Sequence, residues 1–200
     1  MPVIECGCGH CKLTLAEDRP RMSLYCACKD CRQALKWAAK RGGKTPVDLP
    51  QPMYMRSDIS AVEGQDSMRA FQLRDPARST RVFCAKCYSI LGVDHPAYAD
   101  NVFMFFPDHC ETDVDLSIKP SALIHMESYP GAAPPDIPDD IPVYQNWDDP
   151  KDREAYLEIP DIAAAFRAPE IPALGQTFKG LIDALGEIEV LNLEIGADPD

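Results

Sequence analysis

The chain has 200 residues, 46% of them apolar, and nine cysteines; a length of this order buries a core and predicts one domain with extensions or two small domains. Its net charge of −12 is unevenly placed: residues 1–106 hold 15 basic and 11 acidic side chains and residues 107–200 hold 5 and 21, so the halves carry +4 and −16. No apolar run approaches the roughly 20 residues of a membrane helix, and residues 1–10 lack a charged stretch followed by an apolar one, which predicts a cytoplasmic protein with no membrane span.

From residue 12 to about 106 the pattern is one of short strands at 12–15, 22–26, 34–39, 59–63, 68–73, 81–83, 90–94 and 102–106, with turn residues between them. The predicted fold class is therefore all-β, or β-dominated. A further strand is expected at 121–128. Five prolines between 130 and 142 then favour an extended linker or wrapping arm, because proline cannot donate to a sheet ladder. Short helices are expected at 152–157 and 162–166, the second closed off by Pro169. Finally, Phe178, Leu181, Ile182, Leu185 and Ile188 recur at helical spacing, so 176–189 reads as an amphipathic helix. Its apolar stripe packs on the protein's own sheet or forms a homodimer contact.

Nine cysteines mean disulfides in a secreted chain and metal in a reducing compartment. The odd count and the spacings Cys6-Gly7-Cys8 and Cys26-Ala27-Cys28 favour metal. Zinc takes four protein ligands in a structural site and three plus an exchangeable one in a catalytic site. Cys6-x-Cys8 and Cys84-x-x-Cys87 are two knuckles that together make one closed site. Cys26-x-Cys28-x-x-Cys31 supplies three thiolates within six residues and no equally spaced fourth. Either its last position is open, or Cys11, Cys110 or a histidine completes it. Lys29, Arg32, Lys36, Lys40, Arg41 and Lys44 follow this triple, and a cationic setting lowers thiol pKa and attracts anions. Taken singly, each is a solvated surface charge.

In order, Cys6-Gly-Cys8-Gly9, Cys26-x-Cys28-x-x-Cys31-Arg32, Gly64, Arg81-Val-Phe83-Cys84-x-x-Cys87 with Leu91, and Ala122-Leu-Ile-His125 with Ile141-Pro142 resemble the glutathione-dependent formaldehyde-activating family, which includes the centromere protein V relatives. The likeness covers about residues 5–128. It implies a Mss4-like zinc-binding β fold, here residues 1–149; the acidic, partly helical extension over 150–200 lies outside that family's core. It implies two Zn²⁺: a structural one on Cys6, Cys8, Cys84 and Cys87, and a second on Cys26, Cys28 and Cys31, which would be the catalytic cysteines. The implied activity is that of a carbon–sulfur lyase joining formaldehyde, or a related small carbonyl compound, to glutathione as co-substrate. Tyr88 stands where that family commonly has Gly. Gln33-Ala34-Leu35 departs from its usual pattern beside the triple and is expected to alter the substrate pocket lining.

Cys11 falls on a strand position that predicts a small buried hydrophobe, and Cys110, after His109, a loop thiol. His95 and His125 carry no assignment, and His10 is placed to support a thiolate of the first knuckle. A second function class is a non-enzymatic, zinc-stabilised module whose basic face meets nucleic acid or a protein partner. The 21 acidic residues of the C-terminal half oppose nucleic acid.

Overall fold

The computed structural model describes residues 1–76, 78–133, 135–146, 149–167 and 173–199. Its strands are β1 (Val3–Glu5), β2 (Lys12–Leu15), β3 (Met22–Ser23), β4 (Tyr25–Cys26), β5 (Met53–Arg56), β6 (Ile59–Glu63) and β7 (Met68–Gln72). They continue with β8 (Thr80–Cys84), β9 (Ile90–Asp94), β10 (Val102–Phe105), β11 (Glu111–Thr112), β12 (Leu123–Ile124) and β13 (Ile188–Val190). The helices are α1 (Lys29–Lys40), α2 (Pro150–Leu157), α3 (Pro160–Ala165) and α4 (Phe178–Leu185). Strands hold 25% of the residues and helices 24%, so the scaffold is β-rich rather than all-β. None of the described helices is long and apolar enough to cross a membrane.

A seven-stranded sheet of order β13-β7-β8-β9-β10-β5-β3 forms the centre, with a four-stranded sheet β11-β1-β2-β6 and a parallel pair β12-β4 beside it. Residues of β8 and β10 are buried without alternation, the pattern of strands covered on both faces. Against one face pack Ile4, Leu13 and Leu15 of the smaller sheet together with Phe178 and Leu181 of α4. Against the other pack α1, β12 and the helices α2 and α3, through Ala34, Leu35, Ile124, Tyr156 and Ile162. Gly92 is needed here: a Cβ on it would come within 2.6 Å of the Phe178 ring, which stacks on Phe103 with centroids 4.5 Å apart.

Several expected elements are corrected. Residues 34–39 are not a strand but part of α1: Cys28 caps it, its side chain accepting the Cys31 N–H, and Cys31, Ala34, Leu35 and Ala38 recur at helical spacing on the buried face. Only Leu123–Ile124 of the segment 121–128 is a strand, and Met126–Ser128 turns into a 3₁₀ helix. The last helix stops at Leu185; Gly186 lies at φ 79, and β13 then runs parallel to β7. Of the apolar stripe, Phe178, Leu181 and Ile182 are buried on the chain's own core, whereas Ile188 is exposed. Pro169, expected to end the helix at 162–166, lies outside the described residues.

Candidate metal centres

The topology gathers the two distant knuckles into one cluster. Cys6 and Cys8 lie in the loop joining β1 and β2, whose ends pair at Glu5 and Lys12; Cys84 ends β8, and the next turn carries Cys87. Gly64 must be glycine at this junction: it sits at φ 71, and a Cβ would meet the His10 carbonyl oxygen at 2.0 Å. The four Sγ atoms lie within 4.8 Å of one another. Cys6 to Cys8 is 3.4 Å and Cys8 to Cys84 is 3.9 Å. Sulfurs bound tetrahedrally to zinc at about 2.3 Å stand about 3.8 Å apart, so the donor set fits such an ion.

Backbone and hydroxyl groups support these thiols. The Cys11 N–H points at Cys6 Sγ (3.2 Å), and buried Ser89 accepts the Gly7 N–H (3.0 Å) while its hydroxyl meets Cys87 Sγ (3.3 Å). Ser89 thus ties one knuckle to the other. Burial works against the Cys87 thiolate, but the Ser89 hydroxyl and N–H and the neighbouring Cys8 outweigh it and bring the group down to about 6. Cys84 is instead pushed up to about 12, chiefly by burial. The His10 ring contacts Lys86 Nζ at 2.7 Å, so it is the backbone of His10, and not its imidazole, that supports Cys8. Cys11 is fully buried beside this cluster, its Sγ 3.5 Å from the Gly64 carbonyl oxygen.

The second cluster is local. Cys26 ends β4, Cys28 caps α1 and Cys31 sits in its first turn, which brings the three Sγ atoms within 4.8 Å of one another. Cys26 to Cys31 is 3.7 Å, again a spacing that suits a shared ion. Among the described residues no fourth His, Cys, Asp or Glu joins the group. Cys110 is buried elsewhere, with Cys11 and the first cluster, and its Sγ donates to the Phe106 carbonyl at 3.4 Å. Hydrogen bonds from Cys26 and Cys31, and from the Cys31 N–H, hold Cys28 well below the usual thiol range against the effect of burial. Cys26 is pushed well above that range by its hydrogen bonds with Cys28 and Cys31 and by burial. A divalent ion bound here would supply the charge that favours ionisation of all three thiols.

The surroundings contain residues that motif reading did not assign. Arg81 is buried on the same face of β8 as Phe83, between Phe71 and Val93 on the adjoining strands; it donates to the Ser79 carbonyl (3.1 Å), and Cys31, Asp30 and Cys28 are near enough to favour its charged form. Tyr54, Tyr98 and Tyr156 share the core cluster that contains Cys26 and Cys31. Burial raises the pKa of each of these phenols. His125 follows β12 and lies close enough to favour the Cys28 thiolate. His95 caps a turn, its Nδ1 accepting the Ala97 N–H at 3.0 Å.

The basic run after the triple is largely engaged within the chain. Arg32 donates to the Ala27 carbonyl, Arg41 lies 4.7 Å over the Trp37 ring, Lys44 pairs with Glu111 at 2.6 Å and Lys40 with Asp198 at 3.5 Å. Gln33 is buried and engaged within the chain. Its amide donates to the carbonyls of Glu194 (2.7 Å) and Ala197 (2.8 Å), and its oxygen accepts from Arg74. Residues 191–198 form a strap that leaves the β7 edge, where the Leu191 N–H bonds the Gln72 carbonyl (2.9 Å) and Arg74 donates to the Leu193 carbonyl (2.9 Å), and crosses to α1, where Gln33 holds Glu194 and Ala197. Compared with protein-family models and with curated proteins, the chain finds no match, and its two centres are read from their own geometry and ordered cysteine motifs.

Proposed function

We propose that the protein is a zinc-dependent carbon–sulfur lyase of the glutathione-dependent formaldehyde-activating kind, on a Mss4-like scaffold, joining a small carbonyl compound to a thiol. The observation that carries this reading is the division of seven cysteines into a closed set of four and an incomplete set of three. A closed tetrahedral set is structural; an ion held by three protein ligands has a place for an exchangeable one. Zinc held by Cys26, Cys28 and Cys31 would keep an incoming thiol deprotonated and near the carbonyl carbon. Three thiolates around a divalent ion would leave one negative charge, which buried Arg81 would offset. Tyr54 and Tyr98, in the same core cluster as Cys26 and Cys31, would supply hydroxyl hydrogens for the carbonyl oxygen as it gains charge while the carbon–sulfur bond forms.

The test is the formation of S-hydroxymethylglutathione from glutathione and ¹³C-formaldehyde, followed by NMR. The protein should accelerate it above the uncatalysed rate and Cys28→Ser should abolish the acceleration; no acceleration by fully metallated protein refutes the activity. One observation favours the other reading, a zinc-stabilised binding module with no turnover: Cys26 and Cys31 are only 5% and 7% exposed. Under that reading both metals are structural, and substitution in either cluster lowers the melting temperature equally.

A further inference from the structure

The core cluster that holds Cys26 and Cys31 is closed in part by the C-terminal half of the chain. β4, which carries Cys26, pairs with β12, and residues 142–145 run along the far edge of β12, with Leu123 N–H bonded to the Pro142 carbonyl and Tyr144 N–H to that of Leu123, both at 2.9 Å. Asp152 of α2 accepts the N–H groups of Gln145 (2.7 Å) and Asn146 (2.9 Å), hanging α2 from that ribbon. At the other end Arg21 donates to the carbonyls of Ala165 and Arg167, both at 3.1 Å, and Asn101 to that of Phe166 at 3.0 Å. Between these rims Tyr156, Ile162 and Ala165 enter the core cluster that holds Cys26 and Cys31. The Phe166 ring stacks on Tyr98 and meets Tyr54 edge-on.

This cover is lightly attached. Of the eight residues of α2 only Tyr156 is buried. The rest of the C-terminal half is fixed more deeply: Phe178, Leu181 and Ile182 are buried in the opposite core, and β13 adds a strand to the sheet. An element held by a few apolar side chains and a rim of polar contacts opens at lower free energy than the sheet beneath it.

We propose that residues 150–167 are a lid over the three-cysteine site, and that bulky charged molecules reach its thiols only when the lid lifts, whereas small neutral ones enter with it closed. The proposal rests on reading that cluster as a site that takes ligands. It makes the segment a size and charge filter for the thiol partner.

The test uses the full chain and two alkylating probes, iodoacetamide and a bulky disulfonated maleimide, with modification rates mapped to each cysteine by mass spectrometry. The rate ratio of the two probes at one cysteine, compared between proteins, cancels the effect of bound metal on thiol reactivity. Relative to the ratio at exposed Cys8, the bulky probe should be disfavoured at least tenfold at Cys26, Cys28 and Cys31. Combining Arg21→Ala with Asn101→Ala should remove most of that discrimination while leaving Cys84 and Cys110 unchanged. No discrimination in the parent protein, an unchanged ratio in the double variant, or an equal rise at Cys84 and Cys110 would overturn the lid. If the double variant does not fold, hydrogen exchange of the parent protein decides: amides of 150–167 should exchange well before those of α4, and equal protection contradicts the proposal. Glutathione plays no part in either measurement, so the lid and the lyase reading fail independently.

Discussion

Tyr88 shows how one residue balances strain against packing at the second knuckle. It lies at φ 54, a region that costs a residue with a Cβ about 1–2 kcal/mol, and its ring stacks on Phe83 (5.6 Å) and meets Trp37 edge-on (5.7 Å). Tyr88→Ala keeps the strain and loses the ring, whereas Tyr88→Gly loses both. The alanine variant should be the less stable of the two by about 1 kcal/mol in urea unfolding; an alanine variant as stable as the glycine one contradicts this account. That the residue is unusual was legible from the motif, but the compensating rings come from α1 and β8 and were not. His109 is a second case, buried with both ring nitrogens unpartnered among the described residues. Burial, and then Lys44, lower its pKa from 6.5 to about 4. The unfolded chain therefore binds a proton in the window from pH 6.5 to 4 that the folded chain refuses. Stability present above pH 6.5 is lost as the pH falls, reaching about 3 kcal/mol near pH 4. His109→Leu should flatten that part of the stability profile, and an identical loss in parent and variant would exclude His109 as its source.

At the scale of elements, the strands with clear apolar patterning were readable, and 59–63 and 90–94 match β6 and β9. α1 was not, because its cysteine, glutamine and tryptophan mask a helical period that becomes visible only once Cys28 is seen as the cap. Nor could the sequence show that Gln33 bonds carbonyls more than 160 positions away, since such contacts leave no local spacing. Gln33→Ala should loosen the part of the strap over α1, lowering stability by about 1–3 kcal/mol and exposing residues 194–198 to limited proteolysis. An unchanged cleavage pattern would show that the strap is held by other contacts. The anchoring of α4 is as specific. The buried carboxylate of Asp58 accepts the N–H groups of Leu174 (3.2 Å) and Gly175 (3.1 Å), and Ser57 Oγ accepts that of Phe178 (3.0 Å). Asp58→Ala should cost about 2–3 kcal/mol and speed hydrogen exchange in α4 more than in α1.

Across the whole molecule the two clusters have different structural duties. The four-cysteine set joins the β1–β2 loop to the turn after β8, two places nearly 80 residues apart in the chain, whereas the three-cysteine set spans one strand end and one helix cap. Zinc in a structural site contributes folding free energy of about 10–16 kcal/mol, comparable to the entire stability of a domain. Substituting Cys6, Cys8, Cys84 or Cys87 by Ser should thus unfold the protein. Substituting Cys26, Cys28 or Cys31 should remove one metal and leave the circular dichroism of the fold nearly intact. Both clusters were legible because metal-binding knuckles are local in sequence; their burial, the aromatic wall and the cover from α2 and α3 were not, because those depend on how the C-terminal half returns to the core. The most direct test of the central claim is zinc K-edge X-ray absorption on protein of known metal content, before and after glutathione is added. Four and three thiolates over two ions predict about 3.5 sulfurs per zinc, rising to about 4 when the thiol occupies the second site. One zinc per chain, or a sulfur count that glutathione does not change, would contradict it.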